Sequence, residues 1–126
     1  MKLKLNKFTC KLIFFYCVQK FGKHEKKPVP KIVFSKSNKE IFGDYCWDKN
    51  KIRIFYKRHL NEDVKNPVFE LVDTICHEYK HYLHSTALAK SIKHEHKSKE
   101  DLLEDEAIRF AKAESRKFYN KLMKNG

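Results

Sequence analysis

The sequence predicts an α+β fold, in which a small, mostly antiparallel sheet packs on an N-terminal helix and two C-terminal helices. Three long segments repeat apolar residues at helical spacing, and three short segments between the first and the second have the character of strands. The 126 residues are enough for one domain with its own core. They are too few for a Rossmann dehydrogenase, a TIM barrel or a protein kinase core.

The first long segment, residues 3–21, is predicted to be an amphipathic helix that ends at Gly22. The charged, proline-containing stretch Lys23–Pro30 is predicted to be a connector. The predicted buried stripe of the helix consists of apolar residues at steps of three and four, namely Leu5, Phe8, Leu12 and Phe15.

Three short strands are predicted at Ile32–Phe34, Gly43–Trp47 and Ile52–Tyr56. The polar turn Asp48–Lys51 joins the last two as a hairpin. In the third strand, Ile52, Ile54 and Tyr56 occupy every second position, between Arg53, Phe55 and Lys57. This alternation indicates one buried face made of Ile52, Ile54 and Tyr56.

The second long helix is predicted to begin at Asn66, a capping residue, with Pro67 in the first helical position, and to end near Ala89. Its apolar residues recur at helical spacing, which predicts a buried face. That face comprises Val68, Leu71, Val72, Ile75, Tyr79 and Leu83.

A charged linker, Lys90–Lys99, is predicted to lead into the last helix, from about Lys99 to Met123. Ser98 and Asp101 have the spacing of a capping box at its start. The predicted apolar stripe of this helix is Leu103, Ala107, Phe110 and Ala111.

The charge and cysteine content limit the compartment and the partners. The net charge of +12 is spread along the chain, so it is typical of a solvated surface, and nucleic acid is an alternative partner that is not favoured. The apolar run 12–18 is too short to span a membrane. The four cysteines form no CxxC pair, which indicates free thiols in a reducing compartment: Cys10, Cys17, Cys46 and Cys76. The sequence thus predicts a soluble, cytoplasmic protein without a membrane partner.

An HExxH motif at residues 77–81, within the second long helix, points to a metal site. Residues four apart lie on one helix face, so the imidazoles of His77 and His81 can reach one tetrahedral Zn²⁺. Glu78 lies one step around the helix, where it can contact a zinc-bound water without being a ligand. The spacing therefore predicts zinc ligands at His77 and His81 and a catalytic carboxylate at Glu78.

A third ligand is needed, and the downstream alternatives are His84, His94, Glu104 and Glu106. His84 lies almost a turn further along the helix, and His94 lies in the charged linker. Glu106 is spaced three and four residues from apolar neighbours, which predicts a carboxylate on the apolar side that needs a cation there. Glu106 is therefore the predicted ligand, and Glu104, which points between the two faces, is the second choice.

The histidine motif followed 25 residues later by Glu106 in EDEAIRFA resembles the gluzincin metallopeptidases, whose second helix supplies a glutamate ligand. The hairpin before the motif and the short chain are similar to the minigluzincins, single-domain relatives of membrane-integral metallopeptidases. The resemblance covers roughly residues 30–120 and implies a zincin-like fold. The ImmA/IrrE-like and SprT-like proteases are alternatives within the same class.

The resemblance also implies latency, because minigluzincins occur as inactive precursors in which a terminal segment blocks the cleft. On this hypothesis residues 1–27 are an inhibitory N-terminal segment and residues 28–126 are the metallopeptidase domain. Cys10 or Cys17 would then lie near the zinc, where a thiolate could replace the water. The alternatives are an N-terminal helix that only completes the core and a C-terminal tail that blocks the cleft instead.

The expected activity is that of a zinc-dependent endopeptidase acting on a peptide or an unfolded protein. Glu78 takes a proton from the zinc-bound water and passes it to the leaving amine, and Tyr82 or His84 stabilises the oxyanion. The strand with Ile52, Ile54 and Tyr56 is expected to be an edge to which the substrate adds. The alternative from another class is a basic, zinc-stabilised nucleic-acid-binding or regulatory protein, and the sequence does not indicate the oligomeric state.

Overall fold

A computed structural model describes residues 4–37, 39–84 and 97–125 and confirms the α+β class. None of the helices described in these ranges has the length and apolar character needed to cross a membrane. The elements within these ranges are, in chain order, α1 (Lys7–Phe21), β1 (Lys31–Ser35), β2 (Gly43–Cys46), β3 (Lys51–Phe55), α2 (Tyr56–His59), α3 (Pro67–Leu83) and α4 (Lys97–Asn125).

The three strands form a mixed sheet in the order β1–β3–β2, with β3 in the centre. β2 pairs with β3 antiparallel, whereas β1 pairs with β3 parallel, so the prediction of a mostly antiparallel sheet is wrong for one of the two pairings. The tight turn between β2 and β3, in which Asn50 has a φ of 47°, makes those two strands a hairpin. β1 then occupies the other side of β3, where its direction is parallel.

α1 is capped by Asn6, whose side chain accepts a hydrogen bond from the backbone N–H of Thr9 at 2.9 Å. The predicted stripe of α1 is wrong, because Phe8 is 70% exposed and Phe15 is 61% exposed. Apolar residues occur on all sides of this helix, so their spacing alone does not select a face. The face that packs on the core carries Thr9, Cys10, Ile13 and Cys17.

α3 begins as predicted, with Pro67 in the first turn and the Asn66 side chain accepting from the N–H of Phe69 at 3.2 Å. The helix ends at Leu83, because His84 adopts an extended conformation, so the predicted continuation to Ala89 is not observed. Residues 85–96, with His94 and most of the predicted linker, lie outside the described residues. Burial is confirmed for most of the predicted face, namely Val68, Leu71, Val72, Ile75 and Tyr79.

α4 packs along α3 and closes the core on that side. The Asn66 side-chain amide donates to the Tyr119 hydroxyl at 2.9 Å, which ties α4 to the first turn of α3. The side chains of the predicted capping box, at positions 98 and 101, are outside the described part of the chain. The buried residues described for α4 are Leu103, Ala107, Ala111, Ser115 and Phe118.

The connector after α1 is held to the core by two buried tyrosines of α3. Tyr79 donates to the carbonyl of Gly22, the residue at which α1 ends with a φ of 80°. Tyr82 accepts from the N–H of His24 at 3.0 Å and donates to the carbonyl of Lys27 at 3.1 Å. Both hydrogen bonds of the Tyr82 hydroxyl are therefore made with this connector.

The burial of His59, at the end of α2, is expected to make the free energy of unfolding fall at acid pH. Its Nε2–H donates to the carbonyl of Phe42 at 3.2 Å, and burial lowers the pKa of His59 to about 4 from 6.5. Between these values the unfolded chain binds a proton that the folded chain does not, so stability falls as the pH falls from about 6.5 to 4. We expect the loss from this residue to approach about 3 kcal/mol at the acid end.

Urea unfolding at several pH values measures this effect, with His59→Gln as the matched variant. Glutamine keeps an N–H for the Phe42 carbonyl and does not titrate, so the variant should lose less stability between pH 6.5 and pH 4. The other histidines are common to both proteins, and the difference between the two curves therefore isolates His59. Parallel curves would contradict the prediction.

Candidate metal centre

His77 and His81 lie four residues apart on α3 and face the same side of the helix. Their Nε2 atoms are 3.3 Å apart, and their ring centroids are 5.0 Å apart. The ligand-capable atoms of His77, Glu78 and His81 all lie within 4.8 Å of one another, so this group could hold a metal ion.

Glu104, on α4, faces both histidines. Its Oε1 lies 2.7 Å from His77 Nε2, and its Oε2 lies 3.0 Å from His81 Nε2. One carboxylate therefore contacts both imidazoles at the ring nitrogens that point away from the helix. The structure brings Glu104, the second choice of the sequence analysis, to the position that the third ligand would need.

The prediction that Glu106 joins the histidines is not supported by the structure. The Glu106 side chain is 54% exposed, and it lies 3.3 Å from Lys80 Nζ and 3.8 Å from His84 Nε2. The physical reason is the orientation of α4. The buried face follows Leu103, Ala107, Ala111 and Phe118, which turns position 104 toward the histidines and position 106 away from them.

Glu78 has the most perturbed environment of the described carboxylates near the histidines. Its side chain is 8% exposed, and among the described residues it has no hydrogen bond or ion pair. Burial, followed by the negative charges of Glu104 and Asp44, raises the pKa of Glu78 to about 8. A carboxylate with a pKa near neutrality can both accept and return a proton.

The surroundings of His81 favour its neutral form. Burial, and then the neighbouring His77, lower the pKa of His81. The neutral imidazole is the form that binds a metal ion, so this shift favours metal binding.

The two predicted oxyanion donors have different positions. Tyr82 is fully buried, and its hydroxyl is bonded to the connector, so it does not enter the site. His84 lies beside His81, with ring centroids 5.5 Å apart, and neither of its ring nitrogens has a hydrogen-bond partner among the described residues. Of the two, only His84 has a free donor close to the histidines.

A cavity of about 350 Å³ opens beside His77 and Glu78. Gly43, at the start of β2, forms part of its wall where β2 approaches α3 closely. A Cβ at Gly43 would lie 2.7 Å from the carbonyl oxygen of Arg53 and 2.8 Å from the Thr74 methyl group, so only glycine fits there. The residues that line the cavity are Glu40, Ile41, Phe42, Gly43, Glu70, Asp73, Thr74, His77, Glu78 and Glu104.

The strand beside this cavity is β2, and the prediction of a substrate edge on β3 is wrong. β3 is the central strand, so both of its edges are already paired. Ile52 and Ile54 are fully buried in the core, and Tyr56 belongs to α2 and stacks on Phe34 with ring centroids 4.7 Å apart. The predicted burial is confirmed for Ile52 and Ile54 but not for Tyr56, and the sequence could not determine the strand order.

The described part of residues 1–27 lies away from the cavity. α1 contacts Cys76 and Tyr79 of α3, and at 100° per residue these positions lie 100° and 160° around the helix from His77. The Cys17 thiol is hydrogen-bonded to the Cys76 thiol, which raises the pKa of Cys17, and burial raises the pKa of Cys10 to about 12, so neither side chain is a thiolate near neutral pH. Inhibition by residues 1–27 stays a prediction that this placement does not support, because α1 is part of the core.

The sequence analysis missed the acidic wall of the cavity, which includes Glu40, Glu70 and Asp73. Glu70 lies about two turns and Asp73 about one turn before His77 on α3, and this helical spacing was the available signal. Glu40 is contributed by the loop before β2, and nothing in the sequence places that loop against α3.

The described fold and site define an α+β protein in which a His–Glu–His group on one helix could hold a metal ion. Comparisons with protein-family models, with curated proteins and with solved structures found no match.

Proposed function

We propose that the chain is a zinc-dependent endopeptidase, with His77, His81 and Glu104 as zinc ligands. The observation that supports this most directly is the 3.3 Å separation of the two Nε2 atoms, both in contact with the Glu104 carboxylate. Two nitrogen ligands at the usual zinc–nitrogen distance in tetrahedral geometry are about 3.3–3.4 Å apart. A donor set of two imidazoles and one carboxylate is also the set used in catalytic zinc sites that keep one position open.

Zinc, when bound, supplies Lewis-acid activation of water and of a carbonyl group. Glu78 is placed to accept a proton from water, because its carboxylate is buried, unpaired and directed into the cavity. The same carboxyl group returns the proton to the leaving amine. Neither of the two predicted oxyanion donors reaches the cavity, because the Tyr82 hydroxyl is bonded to the connector and the ring nitrogens of His84 are buried outside the cavity lining.

The substrate main chain adds to β2. Within the described residues β2 pairs only with β3, so its outer edge is free. Residues 40–43, which lead into this strand, line the cavity next to His77 and Glu78. An extended peptide on this edge gains main-chain hydrogen bonds and lies across the proposed zinc position.

The test combines metal loading with proteolysis. The full chain, after removal of metal, is titrated with Zn²⁺ and assayed on an unfolded protein substrate. We expect one zinc per chain, cleavage that requires it, and loss of cleavage on chelation that added zinc reverses. Cleavage that survives complete metal removal would contradict the proposal, as would a stoichiometric zinc protein without cleavage whose only binding activity is salt-sensitive binding of nucleic acid.

A further inference from the structure

We propose that the cavity beside His77 is a specificity pocket for a lysine or arginine side chain of the substrate. This inference rests on the proposed endopeptidase function and names its substrate class. It is carried by the charge of the cavity wall, by the lack of internal cations there and by an unpaired carboxylate directed into the space.

The wall of the cavity is acidic on a chain that is otherwise strongly basic. Five of its ten lining residues are carboxylates, and none is lysine or arginine, whereas the whole chain has a net charge of +12. Random placement of these charges would put cations along the wall as well. The local reversal of sign favours a cationic ligand in this cavity.

Glu70 and Asp73 extend this wall along α3 on the N-terminal side of His77. They are three residues apart on α3, which makes them neighbours on the helix surface. Burial, and then the charge of Asp73, raise the pKa of Glu70. Two close carboxylates that are partly withdrawn from water are stabilised by a cation placed between them.

No lysine or arginine lines this wall. Arg58 of α2 forms a two-pronged ion pair with Asp63, with contacts of 2.8 and 2.9 Å, and its guanidinium lies 4.3 Å from the centre of the Phe42 ring. Lys112 acts on Asp73 from α4 but does not line the cavity, and Asp73 is also hydrogen-bonded to Ser115. Glu70 has no side-chain hydrogen bond or ion pair among the described residues, so a cation that enters the cavity can pair with it.

A second observation, at the carboxylate that also serves the proposed catalytic site, points to a ligand group in the cavity. Glu78 is more than nine-tenths buried, lines the cavity and has no hydrogen bond or ion pair among the described residues. A buried carboxylate without a partner is costly, and the cost is relieved when a donor or a cation enters. Ile41 and Phe42 provide an apolar wall for the methylene stem of a long basic side chain.

The distances of Asp73 and Glu70 from His77 along α3 suit a substrate residue close to the cleaved bond. With a rise of about 1.5 Å per residue, Asp73 lies about 6 Å and Glu70 about 10 Å before His77 along the helix axis. An extended peptide advances about 3.3 Å per residue, so a basic side chain within a few residues of the zinc position reaches both carboxylates. The negative charges of Glu70 and Asp73 therefore favour a lysine or arginine side chain over a neutral one at this position of the substrate.

The experiment measures binding and not turnover, so that it is independent of the activity. Zinc-loaded Glu78→Gln protein is titrated with a fluorescent peptide containing one lysine and with the same peptide carrying norleucine instead. We expect the lysine peptide to bind at least about tenfold more tightly, which corresponds to about 1.4 kcal/mol. The preference should disappear when Glu70→Gln and Asp73→Asn are added.

The control adds Glu25→Gln and Glu62→Gln, two exposed positions outside the cavity, which change the net charge by the same amount. Equal affinities for the two peptides, or a lysine preference that survives Glu70→Gln/Asp73→Asn, would overturn the proposal. Calcium that binds stoichiometrically to the zinc-loaded protein, depends on Glu70 and Asp73, and abolishes the preference would also overturn it, because the pocket would then be a second metal site.

The peptide-binding test of the pocket can fail or succeed independently of the proteolysis test of the proposed function. If the wild-type protein with zinc shows no proteolysis but the Glu78→Gln protein still selects the lysine peptide, the pocket assignment stands and the peptidase assignment fails. If proteolysis occurs and the cleavage products show no basic residue near the cut, the peptidase assignment stands and the pocket assignment fails.

Discussion

Replacing Glu78 with glutamine is expected to lower the rate of peptide cleavage by about 10²–10⁴-fold while zinc remains bound. Glutamine has nearly the shape of glutamate but cannot accept the proton that the reaction requires. The Glu78 carboxylate has no partner among the described residues that the amide would lose, so the fold should be kept. Cleavage rates at saturating substrate, together with zinc content by mass spectrometry, measure the two parts of the prediction.

The control for Glu78→Gln is Glu25→Gln, which removes one negative charge from an exposed position away from the cavity. This control should cleave at the wild-type rate. Burial also predicts that Glu78→Gln is no less stable than the wild type, because the variant no longer holds a buried carboxylate whose pKa is raised to about 8. Wild-type cleavage by Glu78→Gln would rule out the role assigned to Glu78.

Replacing Glu104 with glutamine should weaken zinc binding far more than replacing Glu106 with glutamine. Glu104 contacts the Nε2 atoms of both histidines, whereas Glu106 contacts Lys80 and His84. Changing a group that only supports the ligands costs about 10–100-fold in metal affinity, and loss of a ligand should exceed this range. Competition for zinc with a chromophoric chelator measures the two affinities.

The Glu106→Gln variant also serves as a control for stability. Its ion pair with Lys80 is at the surface, where such pairs contribute about 0–1 kcal/mol, so its thermal midpoint should stay close to that of the wild type. Equal losses of zinc affinity in the two variants would contradict the choice of Glu104 as the third ligand. A larger loss in Glu106→Gln would indicate Glu106 instead.

The part of the site that lies on one helix could be predicted from the sequence. Asn66 and Pro67 define the start of α3, and its apolar spacing defines the buried face. The pair His77 and His81 then faces one side, because side chains four residues apart project together from an α-helix. These are local properties, and neighbours within a few residues determine them.

The third side chain at the site could not be predicted in the same way. Glu104 and Glu106 are both about half exposed, and they differ by 200° around α4. The sequence analysis placed Ala107 and Ala111 on the buried stripe correctly but also placed Phe110 there, whereas Phe110 is only partly buried and the buried face continues through Ser115. Small residues on α4 allow close contact with α3, and this packing decides which glutamate faces the histidines.

The sequence by itself determined the α+β class, the bounds of most elements and the face of α3 that carries the histidines. The order of the strands, the buried face of α1 and the choice of Glu104 were decided only by the tertiary structure. The physical reason is that these three features depend on contacts between segments far apart in the chain. α1 is apolar on every side and β3 could have been an edge or a centre, so only packing against the rest of the core selects one arrangement.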